Sequence, residues 1–308
     1  MPMISQVKTR TISDPDEAGR RIDNLLISIL KKVPRGLIYR LIRQGQVRIN
    51  GRRVKQDYRL QVGDQIRIPP IRSREDSPIK IADSFLENLE RSIIFEDDNL
   101  ICFNKPEGVA VHGGSSLRYG LIEGIRVSRS NTKFELAHRI DRETSGCLLV
   151  CKNRKTLIAV QSEFKSRNVR KVYEFYSVGN WNSRNKSVHQ KLKRYKTAWG
   201  ERRVKIDVLG QNARTDFRVL DKAPHATRVE AVLHTGRTHQ IRVHSKHCGN
   251  PIIGDRKYGN LEGNCQRLCL HAMRLSFEIE GLKYKFDAPK SKELEDIWGE
   301  LILGARLD

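Results

Sequence analysis

A run of apolar residues, Cys147-Leu148-Leu149-Val150-Cys151, follows at once on the charged segment His138-Arg139-Ile140-Asp141-Arg142-Glu143-Thr144-Ser145-Gly146. The run reads as a buried strand, so the segment before it sits at the edge of a rigid element. Asp141 lies between Arg139 and Arg142. Neighbouring guanidinium groups favour the ionised form of a carboxylate, and an ionised, positioned carboxylate can act as a nucleophile or base. Alternation places Arg139 and Asp141 on one side, with His138, Ile140 and Arg142 on the other. Taken alone, a structural Asp–Arg pair is at least as common as a catalytic one.

The chain of 308 residues carries 58 Lys+Arg against 36 Asp+Glu, a net charge of +22. An excess of this size implies a polyanionic partner, nucleic acid or an anionic membrane. No apolar run approaches the ~18 residues of a membrane span, and Met1 to Thr11 lack the apolar core of a signal peptide. A soluble, cytoplasmic protein without a membrane partner is expected. Four of the six cysteines lie in or beside apolar runs, where buried thiols are ordinary. Cys265-x3-Cys269-x-His271 offers no clear second ligand pair, so no metal is expected.

The charge is uneven. Residues 1–74 hold 17 Lys+Arg and 6 Asp+Glu, net +11, and residues 75–308 hold 41 and 30, also +11. The first quarter therefore reads as a separate anion-binding module. In it Ile22, Leu25, Leu26, Ile29 and Leu30 fall at helical spacing, Pro34 interrupts, and Leu37, Ile38, Leu41 and Ile42 mark a second helix that Gly45 stops. Val47 and Ile49 alternate as a strand, Asn50-Gly51 is a hairpin turn, and a further strand runs from Gln65 to Ile68. The second helix carries Arg35, Arg40 and Arg43; the hairpin adds Arg48, Arg52, Arg53 and Lys55. A solvated basic face is the plain alternative, but guanidinium pairs bidentately with phosphate, which favours RNA contact.

The segment Arg21-Ile22-Asp23-Asn24-Leu25-Leu26, followed by Leu37 to Gly51 and Gly63-Asp64, resembles the S4 RNA-binding domain over residues 19–70. Residues 1–18 read as an N-terminal arm and 71–90 as a linker of Pro, Ser and mixed charge, with one helical turn near Phe85 to Leu89. From Ile93 the strand-like runs Ile93 to Phe95 and Leu100 to Phe103 open a second domain, placed at 91–308.

Three further segments of that domain set polar residues beside apolar strands. Asn104-Lys105-Pro106-Glu107-Gly108 and Val111-His112-Gly113-Gly114 are irregular backbone whose amides can approach a phosphate or ribose; a plain connecting loop is the simpler alternative. Lys171 to Val178 alternates as a strand, with Lys171, Tyr173 and Phe175 on one face. Tyr173 can present its ring to a base, although a core tyrosine is the default. In Gly236 to His244, Thr238 is a fair N-cap and Gly249 a fair stop, so a helix from about His239 to Cys248 is predicted. His239 and Arg242 share one of its faces, and Arg242 suits an anion, either Asp141 or a phosphate.

Together these segments resemble the RluA family of RNA pseudouridine synthases. His138 to Gly146 looks like the family's HRLDRxTSG signature, Lys171-Val172-Tyr173 like its KxY motif, and Gly236 to His244 like its GRTHQIRVH motif, continued by Gly249 to Asp255. The resemblance implies an α+β fold: a small S4-like domain plus a catalytic domain with a mixed, mostly antiparallel sheet flanked by helices. It implies conversion of uridine to pseudouridine without a cofactor. Its closest branch acts on 23S (large-subunit) ribosomal RNA, so that RNA or the assembling large subunit is the expected partner of a monomer. By the same resemblance Asp141 is the catalytic carboxylate, adding to ribose C1′ or abstracting a sugar proton. Arg242 pairs with Asp141, and Tyr173 packs on the uracil and helps remove the C5 proton. Ile241 is an apolar wall, Arg139 grips the backbone, and the loop of Lys105 and His112 binds substrate.

Two other readings compete. A non-catalytic ribosomal RNA-binding protein fits the S4-like part, but phosphate binding has no need of a central carboxylate. A metal-dependent nuclease would use the histidines and Asp255.

Overall fold

The computed structural model describes residues 7–30, 33, 35–71, 81–114, 117, 119–131, 133–181, 185–259 and 265–306. The proposed Pro34 break, the first part of the arm (1–6) and part of the linker (72–80) lie outside the described residues. The chain divides into two units, Met1–Lys80 and Ile81–Asp308.

In the first unit a short strand β1 (Lys8–Thr11) precedes helices α1 (Ile22–Ile29) and α2 (Arg35–Arg43), then strands β2 (Arg48–Ile49) and β3 (Gln65–Ile68). The apolar stripes do what their spacing requires: Ile22, Leu25 and Leu26 of α1 pack with Ile38, Leu41 and Ile42 of α2. Asn50 and Gly51 both take left-handed φ, 50° and 77°, as a tight two-residue hairpin turn demands. The expected arm is a correction. β1 pairs antiparallel with β3, and Ile12 is fully buried in the same core.

The second unit begins earlier than expected, because α3 (Asp83–Arg91) is a full helix whose Leu89 is buried against Ile122 and Ile125. Then follow β4 (Ile93–Glu96), β5 (Leu100–Lys105), α4 (Leu121–Ser128), β6 (Glu135–Leu136), β7 (Ser145–Cys151), α5 (Arg154–Ser166), β8 (Arg170–Val178), β9 (Asn185–Lys196), β10 (Arg202–Ile206), β11 (Gln211–Lys222), β12 (Ala226–Leu233), α6 (Gln240–His247), β13 (Leu270–Ile279), β14 (Leu282–Asp287) and α7 (Lys292–Ile302). Among the described residues the strands form one 11-stranded sheet in the order β10-β9-β11-β12-β8-β13-β7-β5-β4, with β14 beside β13 and β6 beside β7. The β7–β13 pair is parallel and the others are antiparallel, so the fold is α+β with a mixed, mostly antiparallel sheet. All seven residues of β7 are buried, and Cys147 to Cys151 are apolar without a break, as suits a strand covered on both faces. Leu148 and Val150 face α4, and Leu149 faces α5. Gly146 has φ +109°, and a Cβ there would collide with the backbone of Ala272; the parallel pairing to β13 requires glycine. No helix among the described residues is long and apolar enough to cross a membrane.

Three histidines are held in or against this sheet as neutral rings, His271 on β13, His244 on α6 and His138 in the segment before β7. His138 Nε2 accepts from Leu149 N–H at 3.1 Å, His244 Nδ1 meets Thr215 Oγ1 at 2.9 Å, and His271 lies between Ser145 Oγ and the Ala288 carbonyl. Burial, aided by Lys171, pulls His138 down to about 3, and burial beside His247 pulls His244 to about 4. Burial also lowers His271. Unfolded, each binds a proton near ~6.5, so below that pH the unfolded chain holds more protons than the folded one. Stability is therefore complete above about pH 6.5 and is lost as pH falls toward 4. Thermal melting across this window should show a falling Tm, and His138→Gln should flatten the slope; a Tm independent of pH there contradicts the assignment.

Candidate active site

Asp141 closes the turn that feeds β7, with Thr144 N–H donating to its carbonyl at 3.2 Å. Its side chain, 21% exposed, faces two groups of α6: Arg242 Nη1 at 3.9 Å and His239 Nε2 at 3.8 Å from Oδ2. The cleft around it, about 130 Å³, is lined among others by Arg139, Ile140, Tyr173, Arg194, Ile241 and Leu270. Asp141 thus does not take its cation from its sequence neighbours. Arg142 turns away and donates to Gly108 O at 2.9 Å, and Arg139 is exposed at the cleft.

Arg242 is 2% exposed, so its charge needs a buried partner. That partner is Asp255, fully buried, which accepts from Nε at 2.8 Å and Nη2 at 2.6 Å. Asp255 also accepts from the backbone N–H groups of Lys257 and Tyr258, at 2.9 and 3.1 Å. Just before Asp255, Gly254 has φ +75° and passes against the Arg267 backbone, where a Cβ would collide with Arg267 O. Burial works against the guanidinium charge, but Asp255, Asp141 and Glu143 outweigh it and raise the Arg242 pKa. With Nε and Nη2 held by Asp255, Nη1 is left for Asp141 and for Glu143, at 3.5 Å.

The Tyr258 ring lies 5.3 Å from the Arg242 guanidinium carbon, and its hydroxyl sits 2.7 Å from His239 Nδ1. Burial lowers the His239 pKa despite Asp141, so the ring is neutral and one nitrogen carries the proton. Val204 N–H donates to the Tyr258 oxygen, and the Tyr258 hydroxyl donates to Nδ1. The opposite tautomer would set a lone pair against the Asp141 carboxylate; this one points Nε2–H at it. His239 takes φ +52° at the start of α6. Thr238 is not the side-chain cap expected of it; its hydroxyl accepts from Arg194 Nη2 at 2.7 Å.

Tyr173, on β8, and Ile241, on α6, both reach the cleft. Lys105 and His112 do not line it among the described residues. Lys105 is fully buried, and its ammonium donates to the carbonyls of Pro106, Val109 and Arg142 at 2.7, 2.8 and 3.0 Å. It fastens the loop before the Asp141 turn and has no donor left for substrate. His112 is exposed, with Nδ1 2.8 Å from Gly113 O. In the first unit Arg35, Arg40, Arg43, Arg48, Arg52, Arg53 and Lys55 are all exposed. Cys265 and Cys269 lie with their sulfurs 3.7 Å apart.

Residues 99–247 match the family described as RNA pseudouridylate synthase, and residues 20–66 match the S4 domain. The chain is 43% identical to ribosomal large subunit pseudouridine synthase C of Pasteurella multocida over 96% of its own length and 94% of that protein's. It is 41% identical to the Escherichia coli (strain K12) protein of the same name, over 91% of this chain and 92% of that one. The chain belongs to the RNA pseudouridylate synthase family. Two human structures share the fold: RNA pseudouridylate synthase domain containing 4, with a TM-score of 0.60 and 23% identity over 71% of this chain and 95% of that one, and domain containing 1, with a TM-score of 0.57 and 23% identity over 70% and 96%.

In this pseudouridine synthase the sequence motifs converge on one cleft from three elements: the turn before β7, the middle of β8 and the start of α6. The residues that sequence reading passed over are Asp255 as the anchor of Arg242, Tyr258 and Arg194. Asp255 carried one available signal, since a buried arginine calls for a carboxylate within reach.

Proposed function

We propose that this enzyme isomerises uridines of large-subunit ribosomal RNA, with Asp141 as the carboxylate acting on the target's sugar. The observation that carries the chemistry is an acid group at the floor of a cleft, 3.9 Å from a guanidinium that is itself fixed by a second, buried carboxylate. The RNA class is supported by the names of the relatives above. A paired target base must first leave its stack. The bond from C1′ to N1 breaks, the uracil turns in the cleft, and C5 bonds to C1′. C5 gives up one proton and N1 gains one, so the reaction is redox-neutral and balances without a cofactor. Arg242 aims the carboxylate from 3.9 Å, and His239 adds a neutral donor. Burial and the Asp141 charge push the Tyr173 phenol pKa up, so it stays protonated. Tyr173 then offers a ring and a donor to uracil rather than a base for the C5 proton. The reading takes ribosomal RNA, free or in an assembling subunit, as the substrate of a monomer.

Mapping pseudouridine in large-subunit ribosomal RNA tests the reading. Cells lacking the protein should lose specific sites that wild-type protein restores and Asp141→Asn does not; an unchanged map refutes the substrate. The exposed cations of the first unit belong to capture. Deleting residues 1–80 should weaken RNA binding by roughly tenfold or more and flatten its salt dependence, with saturating turnover little changed. Equal binding and an equal salt slope would remove that role.

A further inference from the structure

The β9–β10 hairpin has a built surface that the cleft chemistry does not use. Its strands pair in register from Leu192↔Ile206 to Lys196↔Arg202. The tip is closed by Thr197 N–H to Glu201 O and Gly200 N–H to Thr197 O, both 2.9 Å. Trp199 stands on that tip 96% exposed, whereas Trp181 and Trp298 are 3% and 6% exposed. A large ring held in water by a hydrogen-bonded turn forgoes the burial that usually stabilises it. The hairpin is also strongly cationic. Over residues 185–206 it carries Lys186, Lys191, Lys193, Arg194, Lys196, Arg202, Arg203 and Lys205 against one acid, Glu201, which Arg203 and Lys257 occupy.

Alternation puts Leu192, Arg194 and Lys196 on one face with Arg202 and Val204. Leu192 and Val204 pack on Val243 of α6 and on Tyr258, so this face turns toward the cleft. Arg194 lines the Asp141 cleft and donates to Thr238; Lys196 and Arg202 continue the row, exposed; Trp199 ends it. Arg194 and Trp199 are separated by at most about 17 Å along the chain at ordinary strand rise. Cations track a phosphate backbone, and an aromatic ring beside them stacks on a base whose face is free. Duplex RNA hides its base faces, so the partner is an unpaired segment.

We infer that the β9–β10 hairpin holds the RNA strand leaving the cleft, with Lys196 and Arg202 on phosphates and Trp199 stacked on an unpaired base beside the target. This deepens the reading of the cleft as an RNA site. The test is tryptophan fluorescence and binding of the full chain with single-stranded oligouridylate and with duplex RNA of equal length. Oligouridylate should quench the emission. Trp199→Ala should weaken oligouridylate binding by about fivefold or more, with duplex binding unchanged, while Trp199→Phe keeps the affinity and loses the quench. Absence of quenching, wild-type affinity in Trp199→Ala, or an equal loss on duplex overturns the inference. Isomerase activity, read separately, distinguishes its failure from failure of the cleft assignment.

Discussion

Asp141→Asn should abolish turnover, by at least about 100-fold, while RNA affinity stays within a few-fold of wild type. The amide keeps the volume and the hydrogen-bonding oxygen but cannot attack C1′ or accept a sugar proton. Arg242 remains paired with Asp255 at 2.6 and 2.8 Å, so the cleft does not collapse. Under the proposed reading capture rests on the exposed cations of the first unit and of β9–β10, which the substitution leaves alone. Nucleoside analysis of treated RNA, paired with a binding titration, measures both. Near wild-type turnover would remove Asp141 from the chemistry; a parallel collapse of affinity would make it a binding residue.

Asp255→Asn should lower both stability and turnover, although Asp255 is fully buried beneath the cleft. Removing one partner of a buried ion pair leaves the other charge uncompensated and costs about 3–5 kcal/mol. Asp141 and Glu143 still face Arg242, so the low end applies, a Tm loss on the order of 5–10 °C for a unit of this size. Turnover falls because the freed guanidinium swings to Asp141 or Glu143 and loses its fixed aim. The double variant Arg242→Met, Asp255→Asn keeps an acceptor for the Lys257 and Tyr258 amides and should recover much of the Tm without recovering turnover. A single variant that melts like wild type, or a double variant that turns over, contradicts this division of labour.

Much of the fold was legible because its signals are local. The helices α1 and α2, the Asn50-Gly51 turn, β3 and the apolar strand β7 follow from spacing within a few residues. Helix α3 read as linker because it is rich in charge and Leu89 is its one fully buried side chain. β1 read as an arm because its burial is slight and its stability comes from pairing with the distant β3. At the site, the motifs located Asp141, Tyr173 and Arg242, yet adjacency misled twice. Arg142 sits next to Asp141 in the chain, but the turn sends it to Gly108. Lys105 ends β5 beside a polar loop, but its ammonium is buried against three carbonyls. The Arg242–Asp255 pair spans an irregular loop with no periodicity to announce it.

The central claim is that this cleft, through Asp141, detaches uracil and rejoins it at C5. Transcripts of large-subunit ribosomal RNA carrying tritium at uridine C5 report that step directly. Wild-type protein in excess chelator should release tritium to water in proportion to pseudouridine formed, with the RNA chain intact and no release by Asp141→Asn. Tight binding with no tritium released by the wild type, or release that continues undiminished in Asp141→Asn, would contradict the account.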